Sequence, residues 1–295
     1  MGSVGVVSNG AALSPQGNYL LARDQRASTR LTFQHFALVQ FQGFTFHPTI
    51  QSYIDTQTKN NHALHIADLA TGNGIWAFEV AKTIPSAEVT GIDISDSQFP
   101  PPLSRPKNTA FATGDLFDTD LAERYTSAFD IIHLRLTVGF IYDKSKDTLI
   151  SNILRMLKPG GYIQWEEVAD PAIWTVHSDG STTEGLPLPF ELMFRHAPML
   201  SAMKWARSLP GLFERAGFTD IVEYRPNPTD NVGVLLPQKE LLYWVIEEVF
   251  ELMISLGKPG AREDYEIALE EFQKAYRRGE MWAYGWTIAL GRKPL

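Results

Sequence analysis

The run His65-Ile-Ala-Asp68-Leu-Ala-Thr-Gly72-Asn-Gly74-Ile-Trp-Ala77 constrains this chain more than any other stretch. An apolar segment closes on an acid, two glycines follow one residue apart, and an amphipathic segment continues. That order reads as strand, tight loop, helix. Val89-Thr-Gly-Ile-Asp93 reads as a second strand ending in a second acid. Gly72 and Gly74 let the backbone approach a ligand and leave amides at the following helix N-terminus. An acid closing the second strand suits a bidentate grip on two ribose hydroxyls. Together the two runs describe a site for a nucleoside-bearing cofactor.

The first acid discriminates between cofactors. In dinucleotide folds the strand runs straight into the first glycine, and the loop amides face a pyrophosphate. Here Asp68 stands four residues before Gly72, where a phosphate-binding loop should carry no negative charge. An acid there suits a ligand with an ammonium group. The pattern Asp68-x-x-x-Gly72-x-Gly74 resembles the first motif of class I S-adenosylmethionine-dependent methyltransferases. Further matches follow in family order. Gly114-Asp115-Leu116-Phe117 is similar to the adenine-binding motif, Phe129-Asp-Ile-Ile-His133-Leu-Arg135 to the fourth strand, and Leu157-Lys-Pro-Gly160-Gly161-Tyr-Ile-Gln-Trp165 to the turn into the fifth. A narrower likeness covers most of the chain. Tyr19 to Arg23, Arg30 with Gln34-His35, His47-Pro48, Asp93-Ile-Ser and Gln98-Phe-Pro-Pro resemble fungal methyltransferases from natural-product clusters.

The resemblance implies a Rossmann-like α/β fold, a seven-stranded sheet with helices on both faces, and S-adenosylmethionine as cofactor. Its cofactor residues, carried onto this sequence, are Tyr19, Arg23, Asp68, Ala70, Gly72, Gly74, Asp93, Ile94, Gly114, Asp115, Leu116 and His133. Ala70 stands where the family often has glycine, a change of one methyl group. The helix carrying Arg23, Arg26 and Arg30 is expected to close over the cofactor, with Tyr19 or Arg23 near its carboxylate.

Composition narrows the setting. The 295 residues, 44% of them hydrophobic, can bury a full core. No apolar run reaches the length of about 18 residues that spans a bilayer, and no signal-peptide pattern opens the sequence. Met1-Gly2 lacks the Ser or Thr that myristoylation asks for at position 6, which is Val6. With no cysteine, disulfides, thiolate zinc sites and thiol nucleophiles are excluded, and the expected setting is cytoplasmic. A formal charge of −8 opposes a phosphate backbone, so nucleic acid is not an expected partner. Oligomeric state is left open.

The expected organisation is a disordered segment 1–17, a helical cap 18–61, and a methyltransferase domain 62–295 with helical lid insertions around 188–204 and 238–278. The cap reads as a helix from Tyr19 to about Phe46, ended by His47-Pro48. Strands are expected near 65–69, 88–93, 109–113, 129–134, 161–166, 218–224 and 282–290. Helices are expected near 74–83, 96–104, 119–126, 146–157, 188–204, 209–217, 238–256 and 261–278, and 168–187 reads as a loop. Ligands in such a sheet sit beyond the C-terminal strand ends.

His133 closes the fourth strand, and its near-neutral intrinsic pKa suits proton removal from a phenol or amine. Its alternative role is to orient Glu166 or a backbone carbonyl. Glu166 and Glu167 alternate across a strand, so one of them faces the site, and Glu166 is the choice. His133 and Glu166 are therefore the candidate catalytic residues. Trp76 reads as first-turn packing or a cofactor cover, Arg135 as the partner of a nearby carboxylate, and His35 and His196 as hydrogen-bonded packing residues or bases. His62 and His65 have no third ligand nearby, and Leu134-Arg135-Leu136 replaces the acid of magnesium-dependent relatives, so no metal is expected. Glu247, Glu248 and Glu251 read as a solvated helix face. The expected activity is methyl transfer to a small secondary-metabolite acceptor, at oxygen or nitrogen. The alternatives are a cyclase or pericyclase that keeps the cofactor without methyl transfer, and a non-catalytic regulator that senses the cofactor.

Overall fold

The computed structural model describes residues 21–141, 144–198 and 205–295. Tyr19 and the segment 1–17 lie outside them. The backbone alternates strand and helix as the apolar periods demand. The strands are β1 (His65–Leu69), β2 (Glu88–Asp93), β3 (Thr109–Thr113), β4 (Phe129–Arg135), β5 (Leu157–Val176), β6 (Thr182–Gly185), β7 (Thr219–Tyr224) and β8 (Met281–Arg292). The helices are α1 (Gln25–Gln42), α2 (Pro48–Lys59), α3 (Ile75–Thr83), α4 (Thr119–Arg124), α5 (Val138–Ile141), α6 (Lys146–Met156), α7 (Leu188–His196), α8 (Leu209–Ala216), α9 (Leu235–Ser255) and α10 (Ala261–Arg277).

One sheet runs in the order β3-β2-β1-β4-β5-β8-β7, parallel from β3 to β5, with β8 antiparallel to both of its neighbours. Each strand splits its apolar residues between two layers. Ile66 and Ile131 join a core with Leu38, Ile50, Trp76, Val80, Phe250 and Trp286. Ala67 and Ile132 face the other way, into a core with Leu121, Ile150, Ile153, Trp165 and Phe213. The order turns outward on either side of β1 and β4, which opens a crevice at their C-terminal ends.

Four expectations need correction. The first helix is shorter than Tyr19 to Phe46. Asp24 caps its start, accepting from the Ala27 amide at 2.9 Å, and Gly43 ends it at φ +83°. Pro48 then begins a second helix, because proline at the first helical position sacrifices no hydrogen bond. Only a short 3-10 turn, Pro102–Ser104, forms in 96–104, since Pro100, Pro101 and Pro102 remove successive amide donors. The segment 168–187 is not a loop: β5 continues to Val176 along β8 and turns back through β6, an eighth strand beside the expected seven. Bracing of β5 by β8 on one side and β6 on the other overrides its loop-like composition.

Candidate active site

A cavity of about 230 Å³ lies beyond the ends of β1, β2 and β4. Arg23, Asp68, Ala70, Gly72, Asp93, Ile94, Gly114, Asp115, Leu116 and His133 all line it, ten of the expected cofactor residues. Gly74 and Glu166 do not line it, and Tyr19 falls outside the described residues. Gly74 is a packing position. It precedes α3 at φ +74°, and a Cβ there would stand 2.6 Å from the Phe111 ring.

The glycine loop spends its amides internally. Thr71 N–H donates to the Ile92 carbonyl, Gly72 N–H to Asp93 Oδ2 at 2.9 Å, Gly74 N–H to the Thr71 carbonyl and Ile75 N–H to Asn73 Oδ1. A pyrophosphate would need such amides turned outward. Ala70 holds φ +56°, so its methyl group is not the neutral change the sequence suggested; a left-handed residue with a Cβ costs roughly 1–2 kcal/mol.

Asp93 accepts from Gly72 N–H and, at 3.2 Å, from Ser95 N–H, leaving each carboxylate oxygen a second lone pair toward the cavity. Burial raises its pKa above the ordinary value, against those two bonds. Asp115 accepts from Phe117 N–H at 3.0 Å, and Leu116 is buried beside it. Lys144 Nζ stands 4.4 Å from the centre of the Phe117 ring.

Beneath the cavity lies a network of charges. His133 is 1% exposed, its Nδ1–H donates to Asp68 Oδ1 at 2.8 Å, and its Nε2 lies 3.6 Å from Glu166 Oε1. Asp68 Oδ2 accepts from Thr71 Oγ1 at 2.5 Å, so the buried strand-end acid has protein partners. The imidazole lies flat on Trp76, ring centres 3.9 Å apart and planes 2° from parallel. Trp76 thus packs on the histidine while lining the cavity. Burial alone would lower the pKa of His133, but Asp68 and Glu166 outweigh it, and the pKa is raised. Burial would raise Glu166, whereas His133, Arg135 and Gln164 bring it below its usual range. Its Oε1 accepts from Gln164 Nε2 at 2.6 Å and Gln42 Nε2 at 3.2 Å. Glu167 points to the opposite layer, bound to Thr137 N and Oγ1 at 2.8 Å each, and burial pushes it up to about 7.

Arg135 reaches Glu166 at 3.9 Å and donates to His35 Nδ1 at 3.2 Å. Because arginine only donates, His35 carries its proton on Nε2, which faces Glu79. Burial lowers the pKa of His35, consistent with a neutral ring. His196 pairs with Asp264 at 2.8 Å against Phe250 and does not line the cavity. His62 turns to Asp130 and His65 to Glu88, so the two histidines diverge.

The other end of the cavity is apolar. Leu31, Leu136, Val138, Val168, Ile173 and Phe190 line it, with Met193, Val245 and Tyr284. Its roof is the first helix, and the Glu247–Glu248–Glu251 face is not simply solvated. Arg30 Nε pairs with Glu248 at 2.8 Å, and Arg26 pairs with Glu247 and Glu251. Of the three basic residues on the N-terminal segment, Arg23 reaches the cavity near Asp93, Arg30 lines it from its pair with Glu248, and Arg26 binds α9. Sequence reasoning missed Gln42, Gln164 and Thr71. Gln164 had a signal, since two residues before Glu166 on a strand is the same face.

Residues 66–161 match the family described as Methyltransferase domain. The matched segment runs from β1 into β5, the strands whose ends form the cavity, and is a methyltransferase domain by that likeness. It is 29% identical over 162 residues to the N-methyltransferase verN of Clonostachys rogersoniana, covering 54% of each chain. To the methyltransferase grgD of a Penicillium species it is 29% identical, covering 96% of this chain and 99% of that one. The chain spans about half the length of verN and similar fungal N-methyltransferases. The methyltransferase fold recurs in Haemonchus contortus phosphoethanolamine N-methyltransferase 2, at 17% identity and a TM-score of 0.50 over 96% of this chain and 61% of that one. Among the described residues no helix is long and apolar enough to cross a membrane.

Proposed function

We propose that this chain transfers the methyl group of S-adenosylmethionine to a small-molecule acceptor. The observation that carries the reading is the division of one cavity: three acids at or just beyond strand ends, Asp68, Asp93 and Asp115, line one part, and an apolar wall lines the other. The acids suit a nucleoside with a cationic amino-acid tail. Asp93 would take the ribose hydroxyls on its unused lone pairs, Asp115 and Leu116 the adenine, and Arg23 the carboxylate. The loop bearing Ala70 and Gly72 would pass beneath the cofactor, with Asp68 toward its ammonium group. When bound, the cofactor supplies an already activated methyl group, so holding a nucleophile in line with it provides much of the rate.

The chain's own residues then align and desolvate. His133, whose pKa the two carboxylates raise, positions Asp68 and Glu166; proton removal from an acceptor would need its neutral ring. The apolar wall excludes water from the acceptor. The acceptor atom is oxygen or nitrogen of a secondary metabolite, and the N-methyltransferase names of fungal relatives support the nitrogen half of that reading. Incubation with methyl-labelled cofactor and a panel of small fungal metabolites tests the reading. Label in an organic product supports it; a product rearranged without label, or cofactor bound with no acceptor turned over by the panel, overturns it.

A further inference from the structure

Four buried polar side-chain atoms gather at the cavity floor without a hydrogen-bond partner: Trp76 Nε1, His133 Nε2, Arg135 Nη1 and Glu166 Oε2. His133 stacks on Trp76, and both His133 and Arg135 contact Glu166. Three of the four are N–H donors, and each belongs to a residue lining the cavity. The one acceptor belongs to Glu166, which does not line it. The floor therefore holds donors short of a hydrogen bond: His133 Nε2 and Arg135 Nη1 have only the Glu166 carboxylate, at 3.6 and 3.9 Å, and Trp76 Nε1 has no acceptor. The shortfall is worth roughly 1–3 kcal/mol for a donor left wholly unpaired.

Charge points the same way. The acids lining the cavity, Asp68, Asp93 and Asp115, belong to the part assigned to the cofactor. Apart from Arg23 and His133, the remaining charged lining groups are cationic: Arg135 and Arg30, with Glu166 and Glu248 as their respective partners, and Lys144 beside Phe117. A protonated amine would bring further donors, and its charge, against Arg135. A group rich in lone pairs satisfies the floor.

We propose that the acceptor is an acid with an apolar body, a phenol, enol or carboxylic acid, whose oxygen arrives as an anion and is received by Arg135 with the buried N–H groups of His133 and Trp76. This rests on the methyl-transfer reading above. The step needs no base. The anionic oxygen forms the C–O bond while the S–C bond breaks, and that electron pair returns to sulfur. A cation and an anion become a neutral thioether and a neutral ether or ester, and no proton moves. Arg135 serves by favouring the ionised acceptor before the step, since a cation at contact distance lowers an acid's pKa by roughly 1–3 units.

The test uses the full chain saturated with S-adenosylhomocysteine and the probe 4-nitrophenol, whose phenolate absorbs visibly, beside 4-nitroaniline. Expected is a bound phenol titrating at least one unit below the free one, equivalent to tenfold preference for the anion, and binding at least tenfold tighter than the aniline. Arg135→Gln removes the shift and Arg135→Lys restores part of it, both keeping the wild-type affinity for S-adenosylhomocysteine. A phenol bound only in its neutral form, an aniline bound as tightly, or a shift unaffected by Arg135→Gln overturns the proposal. Failure of the wild-type chain to bind S-adenosylhomocysteine would instead sink the methyl-transfer reading beneath it.

Discussion

The raised pKa of His133 rests on its carboxylate neighbours, and Glu166→Gln tests that cause. In the structure Glu166 Oε1 lies 3.6 Å from His133 Nε2. At an effective dielectric of about 20, unit charges that close attract by roughly 5 kcal/mol, or ~3 pKa units, before relaxation. Measured effects of one neighbouring charge run at roughly 1–3 units, which is the drop expected for His133 in the glutamine variant. Glutamine keeps an oxygen for Gln42 and Gln164, so the change is mainly one of charge.

The stability consequence follows from the sign. His133 binds its proton more tightly folded than unfolded, so it contributes stability in full below its unfolded pKa of about 6.5, and loses it as pH rises through the folded value. Glu166, depressed in the fold, contributes above about 4.5 and loses its contribution only as pH falls further, outside that window. Wild-type stability measured by urea unfolding should therefore fall above about pH 6.5, at up to ~1.4 kcal/mol per pH unit. The Glu166→Gln curve should flatten there. Ring NMR, with His133 assigned from the signal that His133→Gln deletes, reads the pKa directly. A wild-type His133 titrating at or below about 6.5, or unmoved by Glu166→Gln, refutes the reasoning and returns the imidazole to the role of base.

Asp93→Ala should weaken S-adenosylmethionine binding by ~1–3 kcal/mol in calorimetry, through lost charge-assisted hydrogen bonds. Gly74→Ala should cost ~2–4 kcal/mol of stability, because left-handed strain adds to a clash with Phe111. Gly43→Ala, at φ +83° with nothing within 4 Å, should cost only the strain of ~1–2 kcal/mol; equal losses would show that the ring moves aside. Arg30→Met should destabilise by ~3–5 kcal/mol, since the Arg30 and Glu248 side chains are 3% and 9% exposed, and pairing it with Glu248→Gln should recover part of that loss. Arg26→Met, with its side chain 45% exposed, should change stability by under ~1 kcal/mol.

The strand ends were legible because their signal is local. Asp68, Asp93 and Asp115 each follow an apolar run, and a parallel sheet brings such ends to one crevice. The direction in which the pKa of His133 moves was not legible. It depends on Asp68, 65 residues earlier, and on Glu166, brought beside it by pairing of β4 with β5. A near-neutral intrinsic pKa describes histidine in water, whereas two carboxylates in a buried site reverse the preference that burial sets. The continuation of β5 was hidden for a related reason: its polar residues sit in a strand paired on both sides, where neighbouring strands override composition.

The roof shows how a local signal can be read correctly as glycine and wrongly in purpose. Gly72 holds φ +56°, and a Cβ there would lie 2.9 Å from Leu31 Cδ1 on α1. The space that a loop glycine reserves for a ligand is, at this position, partly taken by the helix above it. That helix is held by Arg26 and Arg30 against acids more than 200 residues later, a pairing that two charged stripes in a sequence do not declare. Leu31 and Gln34 on the helix, and Arg23 before it, line the same cavity as Phe190 and Tyr284 from the far end of the chain. The proposed cofactor site and the proposed acceptor wall therefore share one roof. A substitution that loosens Arg30 from Glu248 should weaken both together, with Asp68, Asp93 and Asp115 left in place on the sheet.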